Sequence, residues 1–291
     1  MTVILASNSY GKSAVRLLKV VRDGAHHDIR ELAVDIALAG AFDAAHTAGD
    51  NSMVLPTDTM KNTVYAKARE LPLGEPEDFG LALATHFLEA SAMASSAHVT
   101  ITEHGWRRLV VDNVPHDHAF ERASNELRTA SVSLLRGGTA DIVAGIEELL
   151  ILKSGRSAFA GYPRDRYTTL RETDDRILAT SMSTHWRYAT GATDFGGLFD
   201  TVRRALLETF ARHDSKSVQH TLYAMGKAAI DRCDAVEEIS ITMPNKHHLL
   251  VDLSALGLEN ANEIFVPTSE PYGLIEATLK RDIRGTPRHE R

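Results

Sequence analysis

Residues 14–21, A-V-R-L-L-K-V-V, form an apolar-rich run that reads as a strand. A second run, D-I-R-E-L-A-V-D-I-A at 28–37, alternates with a period of two, and the Asp23-Gly24 turn signal separates the two. Together they predict an N-terminal hairpin. A short strand is expected before it at 3–6, and Lys12 stands at the entry of its first long strand. Residues 39–48 are alanine-rich and suit a short helix. Residues 60–68 read as helix, 71–78 as a loop with two prolines, and 79–94 as a longer amphipathic helix with Leu81, Phe87 and Leu88 inward. Residues 97–104 and 106–112 read as a second hairpin turning at His104-Gly105. Downstream, 120–135 and 141–154 read as strands around a Gly137-Gly138 turn, the latter run also admitting a helix. Helices are expected at 173–180 and 196–213, strands at 217–229 and 238–253, and a last short apolar run covers 261–266.

Two internal echoes point to a duplication. E-D-F-G-L-A-L-A at Glu77 resembles T-D-F-G-G-L-F-D at Thr193, each opening a long helix. L-P-T-D-T-M-K-N at Leu55 resembles L-R-E-T-D-D-R-I at Leu170, and aligning the leucines sets Lys61 opposite Arg176. A boundary near residue 135 gives an N-terminal domain over 1–135 and a C-terminal domain over 136–291. Each half then has four strands and two helices. Two helices cover only one face of such a sheet, so the other face needs a further layer, which argues for an oligomer.

Composition narrows the function classes. The chain has 291 residues, 43% of them apolar, ample for a sizeable core and unlike a disordered chain. A formal net charge of -7 gives no electrostatic case for nucleic acid or an anionic membrane. No window approaches 18 continuous apolar residues, and the start lacks the basic and apolar regions of a signal peptide. Cys233 is the single cysteine, so no intrachain disulfide or cysteine metal cluster can form.

The polar residues carry the candidate chemistry. Thr57 to Thr63, T-D-T-M-K-N-T, concentrates hydroxyls, an acid, a lysine and an amide at a helix start, whose free N–H groups can receive a planar anion. The plainer reading is that Thr57 or Asp58 caps the helix. Lys12 is a salt-bridge or solvated lysine, or, beside a threonine hydroxyl, a proton acceptor. Arg176 offers a bidentate fork for a planar oxyanion. Gln219, after Val218 in an expected strand, presents both donor and acceptor, which suits a heterocycle edge. Phe159 can stack on a flat ligand. Asn245 and His247 point the same way in an extended chain. His116-Asp117-His118 lacks a third ligand at a defined spacing, no H-E-x-x-H occurs, and the glycine-rich nucleotide motifs are absent, so no metal or cofactor is indicated.

These residues lie in segments that together carry a family likeness: Y-G-K at Tyr10, T-D-T-M-K-N-T-V-Y-A at Thr57, F-A-G-Y-P-R-D-R-Y-T-T-L-R-E-T-D-D-R-I-L-A-T from Phe159, S-V-Q at Ser217, P-N-K-H-H at Pro244, D-L-S at Asp252 and P-Y-G-L-I-E-A-T at Pro271. Over nearly its whole length the chain resembles urate oxidase, the cofactor-free uricase family. The resemblance implies an α+β fold of tandem T-fold domains, each an antiparallel four-stranded sheet with helices on one face. It also implies a homotetramer stacked into a tunnelled barrel, with active sites at subunit interfaces. The implied reaction takes urate, dioxygen and water to 5-hydroxyisourate and hydrogen peroxide, with no cofactor. By the same resemblance Lys12 and Thr57 are a catalytic dyad, and His247 serves the proton relay. Arg176 and Gln219 grip urate, Phe159 stacks on it, Val218 and Asp58 contribute backbone contacts, and Asn245 holds dioxygen or water. The C-terminus lacks a peroxisomal ending, which suits a cytoplasmic enzyme. Two other readings stay open. One is a zinc-dependent T-fold enzyme acting on a pterin or guanine-like ring, and the other a non-catalytic purine-binding protein.

Overall fold

The computed structural model of the chain describes residues 3–282. Backbone proximity divides it into two compact units, Met1–Ile146 with Arg187–Gly196, and Glu147–Trp186 with Gly197–Arg291. Along the chain run β1 (Tyr10–Asp23), β2 (His26–Gly40), α1 (Asp43–Thr47), α2 (Thr57–Glu70), α3 (Pro76–Ala90), β3 (Ala94–Val111) and β4 (Val114–Leu135). They are followed by β5 (Ala140–Lys153), β6 (Leu178–Tyr188), α4 (Phe195–Arg212), α5 (Val218–Arg232), β7 (Val236–Asn245), β8 (His248–Leu250), β9 (Phe265–Pro267) and β10 (Gly273–Lys280). Apart from short α1 and the small β8–β9 pair, the order strand-strand-helix-helix-strand-strand occurs twice. That is the α+β repeat the sequence predicts. Among the described residues no helix is long and apolar enough to cross a membrane.

In the first unit β1, β2, β3 and β4 pair antiparallel in that order. Alternation turns Leu32, Val34, Ile36 and Leu38 of β2 to one face, beside Val99 and Ile101 of β3 and Val132 of β4. The helices meet that face with residues four apart, Met60, Val64 and Ala68 from α2 and Phe79, Leu83 and Phe87 from α3. Burying each such aliphatic or aromatic side chain is worth roughly 1.5–3 kcal/mol. A strand cation closes each helix end, where carbonyls lack intrahelical partners. Lys19 of β1 donates to Ala68 O and Leu71 O at 2.7 Å each, past the last turn of α2. Arg136 donates to Leu88 O and Ser91 O at 2.7 Å each and to Ala94 O at 2.9 Å, closing α3.

The second unit repeats these devices. β7 pairs antiparallel with β10 and buries Ile239, Ile241 and Met243, while α5 packs on both strands through Leu222, Met225 and Ala229. Thr184 of β6 donates to Ser240 O of β7 at 2.9 Å. Lys153 of β5 donates to His213 O beyond α4 at 2.7 Å, and Arg281 after β10 donates to Ile230 O at 2.5 Å and Cys233 O at 3.1 Å, closing α5.

Several expectations are corrected. Residues 3–6 form no strand, and Val3 and Ile4 are 93% and 79% exposed, with nothing buried to hold them extended. There is no hairpin at His104-Gly105. β3 runs on to Val111, Gly105 sits in an irregularity where the β3–β4 register shifts, and the chain turns at Asp112-Asn113, whose φ values of 52° and 63° are those of a tight hairpin turn. Residues 173–180 are not a helix, because Thr173 bridges to Phe159 and Leu178 begins β6. Residues 217–229 are helix α5, not a strand. Val218, Leu222, Met225 and Ala229 repeat at helical spacing, and Ser217 caps the start by accepting the His220 N–H at 3.1 Å. The run 238–253 is interrupted at Lys246-His247, between β7 and β8.

Candidate active site

In the first unit Lys12 lies within β1, opposite Ile36 of β2, and Tyr10 lies opposite Leu38. Both partners are core residues, so Tyr10 and Lys12 share the helix-bearing face. Gly11 between them is required by close approach, since a Cβ there would stand 1.7 Å from Ile36 O. Immediately after Lys12 the register slips by one residue, so that Val15 pairs with Val34. The extra residue is accommodated at Ala14, whose φ of 55° is left-handed and whose N–H donates to Asp35 Oδ1 at 2.8 Å. This bulge lets Lys12 and Val15, three apart, face the same side. Without it, one of them would point to the opposite face.

α2 starts over the same face. Its N-cap is Pro56, whose carbonyl accepts the Met60 N–H at 3.1 Å, and no side chain caps it. The expectation that Thr57 or Asp58 caps the helix is thereby overturned. Both are inside the first turn, where their N–H groups have no intrahelical acceptor. Asp58 turns sideways to Lys61 and Asn62. Its carboxyl is held below the usual range, first by the hydrogen bond and charge of Lys61 and further by the charge of Lys12. Thr57 is exposed, and among the described residues its hydroxyl has no hydrogen-bond partner.

In the second unit short backbone pairings assemble a second cluster. Phe159 exchanges hydrogen bonds with Thr173 at 2.8 and 3.1 Å, and Ala158 donates to Ser215 O at 2.8 Å, three residues before α5. Phe159 is thus tied both to the segment carrying Arg176 and to the approach to Val218 and Gln219. The Arg176 guanidinium carbon lies 5.1 Å from the Phe159 ring centroid. Arg176 is half-buried, its Nε is buried with no hydrogen-bond partner among the described residues, and burial lowers its pKa. A half-buried guanidinium without a carboxylate is an anion receptor by default. Val218 and Gln219 occupy the first turn of α5, and the Ser217 cap takes the N–H of His220, leaving theirs outward. The correction of this segment from strand to helix strengthens the site, because a helix start supplies N–H groups that a strand interior does not.

Asn245 ends β7 and is 9% exposed. The Lys246 backbone N–H donates to Ala179 O of β6 at 2.9 Å, three residues past Arg176, and half-buried His247 sits in the break before β8, its carbonyl accepting the Thr268 N–H at 2.9 Å. Lys12, Thr57 and Asp58 therefore belong to one unit, and Phe159, Arg176, Val218, Gln219, Asn245 and His247 to the other. The sequence echo that matched Leu55 with Leu170 has no structural counterpart, since the first opens α2 and the second precedes β6. The residues missed by sequence reasoning are supports. Tyr162 stacks on Phe159 with ring centroids 5.0 Å apart and planes 16° apart, and Asp175 accepts the Ser157 N–H at 3.3 Å. The F-x-x-Y spacing was the available signal for the first, whereas nothing local marks the second.

A uricase family model matches residues 8–133 and 142–276. The chain is 48% identical over 280 residues to a uricase of Arthrobacter globiformis, covering 96% of this chain and 91% of that one. It is 38% identical over 280 residues to a uricase of Dictyostelium discoideum, covering 95% and 97%. The crystal structure of the Arthrobacter globiformis uricase superposes with a TM-score of 0.91 at 46% identity, covering 100% of this chain and 98% of that one.

Proposed function

The chain belongs to the uricase family, with its T-fold α+β architecture, and on that premise we propose that it oxidises urate at a site built from both clusters. Urate, dioxygen and water give 5-hydroxyisourate and hydrogen peroxide. Urate is planar and already anionic near neutral pH, and removing a second proton makes a dianion electron-rich enough to reduce dioxygen. The protein's tasks are to orient the ring, take the proton and stabilise charge.

The observation that carries this reading is Arg176, half-buried, without a carboxylate partner among the described residues and set against the Phe159 ring. Phe159 stacks on the ring, Arg176 and Gln219 grip its oxygen and nitrogen edge, and the Val218 N–H adds a backbone contact. Lys12 takes the proton through the Thr57 hydroxyl, with His247 completing the relay, while the Asp58 N–H holds the same edge and Asn245 holds dioxygen or water. Lys12, Thr57 and Asp58 come from one protomer and the remainder from its neighbour, within a homotetramer forming a tunnelled barrel. The twice-repeated element order supports two T-fold domains, 1–135 and 136–291.

Purified protein treated with a chelator is expected to consume urate and oxygen in equal amounts and to release peroxide. Urate loss without peroxide, or a strict metal requirement, would sink the mechanism, and binding without oxygen uptake would make the chain a purine carrier. Arg176→Lys keeps the charge and loses the fork, so KM for urate is expected to rise about 10- to 100-fold in steady-state assays.

A further inference from the structure

We infer that Tyr10 is a positioning residue that sets the spacing between Lys12 and Thr57. This rests on the proton relay proposed above. The Tyr10 hydroxyl accepts the backbone N–H of Leu55 at 3.0 Å. On the strand side Tyr10 stands two residues before Lys12 and on the same face, and on the helix side Leu55 stands two residues before Thr57. One hydrogen bond therefore ties the two backbone segments that carry the relay, over a sequence separation of 45 residues. Lys19 of β1 also bonds to α2, but at its far end; among the described residues Tyr10 supplies the directional bond at the helix start, where the relay lies.

The ring of Tyr10 is held in turn. It lies edge-on to Phe42, with centroids 4.8 Å apart, and packs against the core of the first unit. Burial raises the pKa of its hydroxyl above the ordinary tyrosine value, partly offset by the Leu55 bond and by Ser91. The group therefore stays protonated and neutral at working pH. It accepts from Leu55 while keeping its own proton, and it takes no part in the chemistry. Downstream of Lys12 the Ala14 bulge, held by Asp35, aims the lysine, and upstream Tyr10 brings the helix start to it. A proton transfer between two side chains is sensitive to displacements of a fraction of an ångström, and a misplacement of 1 Å can cost on the order of 100-fold.

Tyr10→Phe keeps the ring and removes the acceptor. The expected result is a kcat about 10-fold lower with KM for urate and the affinity for an unreactive purine analogue within about two-fold of wild type. In a Thr57→Val background the same change is expected to cost nothing more, because a tether to a hydroxyl that is gone has nothing left to place. A purely structural tyrosine would lower the melting temperature and cost the same in both backgrounds. Wild-type kcat in Tyr10→Phe alongside a slowed Thr57→Val would overturn the inference alone, as would fully additive losses. A Thr57→Val protein as fast as wild type would remove the premise and the inference with it. Should Tyr10→Phe fold poorly, Leu55→Pro removes the donor instead of the acceptor and is expected to give the same kcat loss and the same non-additivity.

Discussion

Lys12→Ala is expected to lower kcat by about two to four orders of magnitude, the range that general acid–base groups supply. The affinity for an unreactive purine analogue should fall by less than about 10-fold. The split follows from where the charges lie. Lys12 sits on β1 in the first unit, beside the start of α2, whereas the Arg176 guanidinium and the Phe159 ring lie in the second. Removing the lysine leaves that receptor intact and takes away the proton acceptor. Thr57→Ala is expected to behave alike, since its hydroxyl stands in the first turn of α2 and is not spent as a cap. The double variant should be scarcely slower than the worse single one, because two members of one relay fail together. Oxygen-uptake kinetics with an inhibitor titration measure both quantities. Equal losses of kcat and analogue affinity would move Lys12 from the relay to the grip on urate.

The second large effect concerns stability. Glu77, near the start of α3, is fully buried, and Arg128 of β4 reaches it at 2.8 Å while also pairing with Glu75. Burial pushes the Glu77 carboxyl up to about 7, with Arg128 offsetting only part of that cost and Glu75 adding to it. The native state therefore holds a proton that the unfolded chain has released above its ordinary value of 4.5. Stability from this group is fully present below pH 4.5 and is lost as pH rises through 7. The loss amounts to about 3 kcal/mol by linkage. Glu77→Gln, the neutral isostere, should abolish this share of the pH dependence. Its melting temperature is expected to match wild type at pH 5 and to exceed it at pH 8 by about 5–10 °C. Parallel melting curves across that range would show that Glu77 keeps an ordinary pKa.

Much of the fold was legible, and the failures have local causes. The first hairpin, α2, α3 and α4 followed from periodicity and punctuation. The long β3 was cut in two because Gly105, a bulge glycine, resembles a turn glycine, and the true turn at Asp112-Asn113 lacks glycine altogether. α5 resembles a strand in sequence because Val218, Leu222 and Tyr223 are strand-like, and its helical signal is confined to the cap residue Ser217. The bulge breaks the alternation of β1 at Ala14, so the sequence pattern starts the strand there and sets Lys12 at the edge of a strand that contains it. The side chains of the candidate site are those that the family resemblance implies, whereas their supports carry no sequence signal. Asp35 and Tyr10 act through single hydrogen bonds to distant backbone, and such bonds leave no periodic trace.

The four latched helix ends bear on ancestry. Lys19 and Lys153 close the first helix of each repeat, and Arg136 and Arg281 the second, from equivalent positions in the element order. The helix beginnings match no such rule. In the first repeat the candidate residues Thr57 and Asp58 lie where α2, the first helix, starts, and in the second Val218 and Gln219 lie where α5, the second helix, starts. The other two beginnings, α3 at Pro76 and α4 at Phe195, are occupied by structure, with the Glu75 carboxylate 2.9 Å from where a side chain on Gly196 would begin. Pro76 brings no N–H to the start of α3, and Glu77 and Asp78 fill its first turn, so that beginning is closed to an anion. Scaffold inheritance kept the ends alike, and the division of labour between copies is written only at the beginnings.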